Sequence, residues 1–175
     1  VDVATLQRRL MALGFDPGPD DGRMGPRTRA ALDRTLSNRN ASALGEDTIT
    51  AVAVSLAVPI GHVRGVRKVE APRGAFDEQG RPSLLYEPHV FARQSSHRFN
   101  ATHPRLSYSQ WRPGAYGPFT AQYPKLYDAC QLDPGAAFKA CSWGAFQVLG
   151  ENAVALGYQD AFAMAIALTK SEAAH

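Results

Sequence analysis

The chain has 175 residues, 45% hydrophobic and 20% charged, which is enough for one medium domain or a small domain with part of another. Fifteen glycines and twelve prolines are too few for a collagen-like or low-complexity chain. Two cysteines exclude a disulfide scaffold, and no apolar stretch approaches the ~20 residues of a membrane helix. The formal charge of +3 is unevenly spread. Residues 1–60 carry seven bases and seven acids, residues 61–120 nine and four, and residues 121–175 three and five. The basic middle suits either an anionic polymer or a scatter of surface arginines. Val1-Asp2-Val3 shows neither a Met nor a signal-peptide pattern, and reads as a trimmed or processed end.

Val3, Leu6, Leu10 and Leu13 recur at spacings of three and four, one face of a short helix that stops at Gly14. The run from Asp16 to Gly22 holds two prolines and two glycines, which reads as turn. Pro26 is placed for the first turn of a second helix carrying Ala30, Ala31, Leu32 and Leu36. A repeat follows twenty residues on: Gly25-Pro26-Arg27-Thr28 before Ala31-Leu32 is matched by Gly45-Glu46-Asp47-Thr48 before Ala51-Val52. Ile49, Val52 and Leu56 give a third helical face. The expectation is a three-helix unit of about 55 residues with a modest core.

The phrases Leu6-Gln7-x-x-Leu10, Gly14-Phe15-x-Pro17-Gly18 and Asp21-Gly22-x-Met24-Gly25-x-x-Thr28-x-x-Ala31-Leu32 resemble the peptidoglycan-binding domain attached to many wall hydrolases. The resemblance spans residue 3 to about residue 56, with Ala43-Leu44 standing where a second Asp-Gly is expected. The Leu residues read as core and the Gly and Asp residues as turn builders.

Pro59 is placed to open a helix with Ile60, Val63, Val66 and Val69 as a buried stripe between Arg64, Arg67 and Lys68. Ala71-Pro72-Arg73-Gly74 ends it just after Glu70. A carboxylate at a helix C-terminus faces the negative end of the macrodipole, which disfavours its ionised form and suits a general acid; pairing with an arginine is the other reading. Pro82 to Phe91 reads as extended, with Leu85, Glu87, His89 and Phe91 on one face. Glu87 and His89 then either line a cleft or hold each other by a hydrogen bond. Pro88 indicates an edge strand. Residues 92–124 are rich in aromatics interrupted by Pro and Gly, most of them loop anchors and one or two of them sugar platforms. Asp133-Pro134 opens a helix, Ser142 to Gln147 bends the chain, and Asp160 caps a last helix through Ala174. Cys130 and Cys141 read as buried thiols more readily than as a pair.

Four further phrases occur in order: Val66-Arg67-Lys68-Val69-Glu70; Gly80-Arg81-Pro82-x-Leu84-Leu85-Tyr86-Glu87-x-His89-x-Phe91; Pro104-Arg105-Leu106-Ser107-Tyr108; and Ala140-Cys141-Ser142-Trp143-Gly144-x-Phe146-Gln147-Val148-Leu149-Gly150. Together they resemble the phage-type N-acetylmuramidase domain of modular endolysins, within the lysozyme-like superfamily. The resemblance implies a mainly α chain: a small three-helix wall-binding domain (1–56), then a lysozyme-like α+β domain with a short β-hairpin (57–175). It implies cleavage between N-acetylmuramic acid and N-acetylglucosamine with Glu70 as general acid. Glu87 is then the candidate second carboxylate. His89, Tyr108, Ser142, Trp143, Gly144, Phe146 and Gln147 are the candidate substrate-binding residues. The family often shows Ser-x-Gly after Glu70, where this chain has Ala71-Pro72-Arg73-Gly74. It also continues with further helices beyond Ser171–His175, so the catalytic domain is expected to lack its C-terminal part.

The implied molecule is a monomer whose partner is bacterial peptidoglycan. It needs no cofactor or metal, binds no nucleic acid, and makes no stable membrane insertion. It waits in the host cytoplasm until a holin-type partner releases it to the wall. A lytic transglycosylase using the same acid is the alternative, with Gln147 or Tyr108 positioning the substrate's own hydroxyl. A zinc peptidase would draw on His62, His89, His97 and His103, whose spacings of 27, 8 and 6 fit no ligand pattern. A non-catalytic wall-binding protein would be expected to have lost Glu70.

Overall fold

The computed structural model describes residues 1–70 and 72–175. Helices dominate, around one small sheet. Helix α1 (Val3–Ala12) is capped by Asp2, whose carboxylate accepts from the Thr5 amide at 2.8 Å. Val3, Leu6 and Leu10 point inward; Leu13, the C-cap, stays exposed. Gly14 takes a φ of 84° to turn the chain, the left-handed region glycine enters freely. Pro26 opens α2 (Pro26–Leu36) as the sequence predicts.

The Gln7 of the first phrase explains the motif that follows it. Its buried amide donates to Asp21, to the Arg23 carbonyl and to Thr28, at 3.0–3.1 Å, and accepts from the Gly22 amide at 3.0 Å. Thr28 in turn donates to the Pro17 carbonyl at 2.9 Å. The Asp-Gly-x-x-Gly-x-x-Thr pattern therefore fixes a loop that has too few apolar residues to fix itself.

The third helix, α3 (Glu46–Ser55), forms where the repeat places it, but packs chiefly against α4 (Ile60–Glu70). Ile49, Ala53 and Val63 make a small separate cluster with Leu44, Val58, Ile60 and Phe146. The stripe predicted along α4 buries only Val63; Val66 and Val69 are exposed, Val69 by 75%. Besides each other, α3 and α4 meet only a few side chains such as Leu44 and Phe146, so part of each apolar stripe stays uncovered. The 38–44 segment is instead stitched to the chain's last turn. Asn38 donates to the Thr169 carbonyl at 2.8 Å, Glu172 N to Ser42 O at 2.9 Å, and Leu44 N to the Glu172 carboxylate at 2.9 Å.

The main core is shared by both ends of the sequence. Leu6, Leu10, Leu32 and Leu36 lie in one cluster with Leu84, Phe91, Leu126, Phe138, Trp143 and Leu168. Ion pairs rim it: Arg9–Asp160 at 2.6 Å, Arg29–Asp128 at 2.8 Å and Arg81–Asp33 at 2.5 Å.

Two readings of the middle segment are corrected. The extended run is short: β1 is Leu84–Tyr86, and Pro88 is the first residue of helix α5 (Pro88–Gln94). A proline suits that position because its missing N–H would be unpaired there. Ser142 to Gln147 does not simply bend: its first two residues belong to strand β2 (Cys141–Trp143), which turns into β3 (Val148–Leu149). The antiparallel order is β1-β2-β3, with Leu85 opposite Ser142 and Trp143 opposite Val148. Helices α6 (Gln122–Leu132) and α7 (Pro134–Lys139) back this sheet, and Asp133 caps α7 by accepting from Ala136 N at 3.0 Å. Asp160 caps α8 (Ala161–Leu168), which ends well before Ala174; Glu172–Ala174 is a separate 3-10 turn. Cys130 and Cys141 are both free and buried in the core.

Candidate active site

Helix α4 delivers Glu70 as its last residue. The predicted break begins at Ala71, which lies outside the described residues; Pro72, Arg73 and Gly74 continue along the rim of a cavity of about 260 Å³. Glu70 sits exposed at that rim. Leu85 of β1, Phe119, Gln122 and Gln147 line the same cavity. Glu70 and Gln147, 77 residues apart in sequence, thus share one cleft.

Gln147 comes from the turn between β2 and β3. Its φ is 49°, and that of Gly144 is 73°. A left-handed backbone costs a non-glycine residue roughly 1–2 kcal/mol, so Gln147 is held there by its surroundings. Its side-chain amide donates to the Gly144 carbonyl at 2.9 Å. His175 supports the turn from behind: its Nδ1 accepts from the Ala145 amide at 2.9 Å and its Nε2 donates to Leu168 O at 2.8 Å. Burial holds this imidazole below its ordinary pKa, against the opposing pulls of the Leu168 carbonyl and Glu172, so it is the neutral ring the two bonds require. A Cβ on Gly144 would lie 2.5 Å from His175 Nδ1, hence the glycine.

Glu87 is the N-cap residue of α5, but its side chain does not cap the helix. It reaches across to β2, where Ser142 Oγ donates to Oε1 at 2.6 Å. Tyr116 donates to Oε2 at 3.4 Å, and His89 Nε2 lies 3.8 Å from that oxygen. Burial, then the Glu87 charge, raises the Tyr116 phenol above its ordinary pKa, which keeps it a donor. Glu87 and His89 therefore meet across a helix N-terminus and not along the predicted strand face. Glu87 is not among the residues lining the 260 Å³ cavity.

Of the seven predicted binding residues only Gln147 lines this cavity, and Trp143 and Phe146 are turned to other parts of the fold. Trp143 is fully buried, stacked on Phe138 at 5.7 Å with its indole N–H donating to Phe138 O. Its size marks it as core filler on the central strand. Phe146 packs into the α3–α4 cluster. Tyr108 is buried with its hydroxyl unpartnered among the described residues, as is His89 Nδ1. Gln122, Phe119 and Tyr116 take larger parts than the sequence indicates. Gln122 accepts from Tyr86 N at 3.1 Å and donates to Tyr116 O at 2.7 Å, which ties the aromatic loop to β1. Phe119 and Tyr116 belong to the aromatic-rich loop, where nothing in the spacing separates them from anchors such as Phe99. The histidines do not gather; among the described residues no three His, Cys, Asp or Glu side chains come within metal-binding range of each other.

A mostly helical shell, a three-stranded sheet and a carboxyl at a helix end above a glutamine-lined cleft are the architecture of a lysozyme-like glycoside hydrolase. Comparison with known proteins gives the family. The N-acetylmuramidase family model matches residues 59–175, and a peptidoglycan binding domain model matches residues 1–34. The crystal structure of the Burkholderia AP3 phage endolysin is similar over 98% of this chain and 74% of its own, with 32% identity and a TM-score of 0.68. No curated protein matches. The chain belongs to the N-acetylmuramidase family, is a glycoside hydrolase of the muramidase type, and has the two-part architecture of a modular phage endolysin.

Proposed function

We propose that the chain cleaves the glycosidic bond between N-acetylmuramic acid and N-acetylglucosamine, with Glu70 as general acid. The observation that carries this is the joint placement of Glu70 and Gln147 on one 260 Å³ cleft. A glycan strand seated there excludes water from the Glu70 carboxyl, the condition under which it hands its proton to the glycosidic oxygen. The sugar ring then passes through an oxocarbenium-like transition state. Gln147 offers an amide group to the sugars and Phe119 an apolar face, while Gln122, its amide bonded to Tyr86, Tyr116 and Pro118, holds the wall of the cleft in place.

Glu87 is the second carboxylate of this proposal. Ser142, its donor, stands opposite the cleft-lining Leu85. From just outside the cleft, the fixed negative charge of Glu87 stabilises the developing cation. One observation favours a second reading. Both Glu87 oxygens already accept hydrogen bonds, from Ser142 and Tyr116. If they stay engaged, Glu70 acts alone and the substrate's own 6-hydroxyl attacks, as in a lytic transglycosylase. Residues 1–56 are proposed to hold the enzyme on the wall, through the outward surface of the loop that Gln7 fixes.

Mass spectrometry of products from purified peptidoglycan tests both readings. Reducible muramic acid ends support hydrolysis; ends lighter by one water support the transglycosylase. Glu70→Gln is expected to abolish either reaction with thermal unfolding unchanged. Full residual activity in that variant refutes the assignment of the acid.

A further inference from the structure

The Glu70 cleft continues past Glu70. It shares Arg73, Leu84 and Phe119 with a second, larger cavity of about 630 Å³. That volume falls within the ordinary range for ligand sites. Its walls are firmly built. The turn Asp77–Gly80 closes one side, with Asn38 N donating to Gly80 O at 2.9 Å. A Cβ on Gly80 would lie 2.8 Å from the backbone of residues 38 and 39, so this wall is pressed against the end of the α2 segment.

Four charged side chains reach the cavity: Arg73, Asp77, Glu78 and Arg81. Arg81 is fully engaged. It donates to Asp77 at 2.7 Å and to Asp33 at 2.5 Å, and lies 3.9 Å from the centre of the Tyr123 ring. Asp77 is satisfied by that contact and by the Gln79 and Arg81 amides. Among the described residues, Arg73 and Glu78 have no hydrogen-bonded or ion-paired partner. Arg73 lies over Phe119, 5.4 Å from the ring centre, on the boundary between the two cavities. Among the described residues, the larger cavity is therefore lined by one exposed guanidinium and one exposed carboxylate that no other side chain of the protein neutralises, together with the aromatic rings of Phe76, Phe119 and Tyr123.

Neutral sugar hydroxyls can bond to either group singly, but a ligand that carries both a carboxylate and an ammonium group matches the pair in charge as well. In peptidoglycan, each intact muramic acid carries a peptide on its lactyl group. That peptide bears carboxylates and, at its diamino acid, an amine. We propose that the 630 Å³ cavity is a stem-peptide subsite, in which Arg73 takes a peptide carboxylate and Glu78 an ammonium group. This rests on the muramidase reading and adds a selectivity to it: the enzyme distinguishes peptide-bearing strands from stripped ones. Arg73, three residues after Glu70, couples the two parts of the cleft.

The test is kcat/KM for the full chain, Arg73→Gln and Glu78→Gln on two soluble glycan strands of equal length. One keeps its stem tripeptides; an amidase has stripped the other. Circular dichroism checks that the variants fold. The wild type is expected to favour the peptide-bearing strand by about tenfold, the worth of a charge-assisted contact. Arg73→Gln is expected to shrink that ratio about fivefold, and Glu78→Gln to shrink it by a smaller factor. Equal wild-type rates on the two strands, or a ratio unchanged in Arg73→Gln, overturn the subsite while leaving the muramidase reading standing. If neither strand is cut, the muramidase reading falls, and NMR titration of the full chain with free stem tripeptide decides the subsite. Binding that Arg73→Gln weakens about fivefold upholds an anionic-peptide site; no binding to wild type overturns it.

Discussion

Glu172 holds the chain's last turn to two other elements, and its removal should be felt in a pH-dependent way. Its side chain is only 4% exposed. Arg67 of α4 donates to Oε1 at 2.5 Å, and the Leu44 amide to Oε2 at 2.9 Å. Burial alone would raise this carboxyl, but Arg67 and Leu44 outweigh it and hold it below its ordinary value of 4.5. A charge-assisted hydrogen bond contributes roughly 1.5–3 kcal/mol, and the lower end applies because Arg67 is 40% exposed. Glu172→Gln keeps an acceptor for Leu44 and should cost about 1.5–2 kcal/mol at pH 7. Arg67→Ala should cost more, roughly 3 kcal/mol, because it leaves a buried carboxylate unpaired. The sign with pH follows from the depressed folded value. The stabilisation is complete above the ordinary carboxylate range and is lost as pH falls through the folded one. Urea unfolding of wild type and Glu172→Gln at pH 7, and then at successively lower pH, measures this. The gap should close in acid. Equal midpoints at pH 7, or a gap constant down to pH ~3, would refute the reasoning.

Tyr116→Phe removes one of the two hydroxyl donors to Glu87 without opening a cavity. If Tyr116 orients a Glu87 that stabilises the transition state, kcat should fall about tenfold with little change in KM or thermal stability; an unchanged kcat shows that this contact plays no part in the chemistry. Cys130 and Cys141 are fully buried, and burial pushes both thiols well above their ordinary pKa. Neither should react with an aromatic disulfide reagent at about pH 8 until urea unfolds the chain, when both should titrate; fast reaction in the native state would contradict the packing.

The elements that local chemistry dictates were legible in the sequence. Asp133 and Asp160 cap helices with their own side chains, Pro26 and Pro134 open them, and Gly14 ends one. The helix-ending Glu70 and the distant Gln147 were both readable through the family phrases. Pairings decided in three dimensions were not. Pro88 reads equally well as an edge-strand residue or a helix opener, and only the pairing of Leu84–Tyr86 with Cys141–Trp143 decides between them. Trp143 and Phe146 flank the glycine of a cleft phrase, yet strand alternation sends Trp143 into the core while Phe146 joins α3 and α4. The Arg67–Glu172 pair spans 105 residues, and no local pattern announces it. Tyr116 lies in a loop, Phe119 in the 3-10 turn that follows it and Gln122 at the start of α6, where no periodicity in the sequence singles them out, so their roles depend on what the fold brings near them.

The shared core has a consequence for any attempt to cut the chain into a wall-binding and a catalytic piece after residue 56. Val3, Leu6, Leu10, Ala31, Leu32 and Leu36 are buried in the cluster that contains Leu126, Phe138, Phe162 and Leu168. Burial of a Val or Leu side chain is worth about 1.5–3 kcal/mol, so the five larger side chains contribute ~10 kcal/mol gross, shared between contacts within α1 and α2 and contacts with the catalytic piece and offset by the ordering of residues 1–56. The cut also leaves Arg81 without Asp33 and Asp160 without Arg9. Loss of even half of that gross figure is comparable to the lower end of a whole domain's stability, about 5–15 kcal/mol. Residues 57–175 alone are therefore expected to show neither cooperative thermal unfolding nor fixed tertiary structure, and to lack the cleft geometry. The Asp77–Gly80 turn beside the cleft would be deprived of its hydrogen bond from Asn38 as well. A fragment that unfolds cooperatively near the melting temperature of the full chain would show that α1 and α2 only rest on the surface, and that the core beneath them is complete without their leucines.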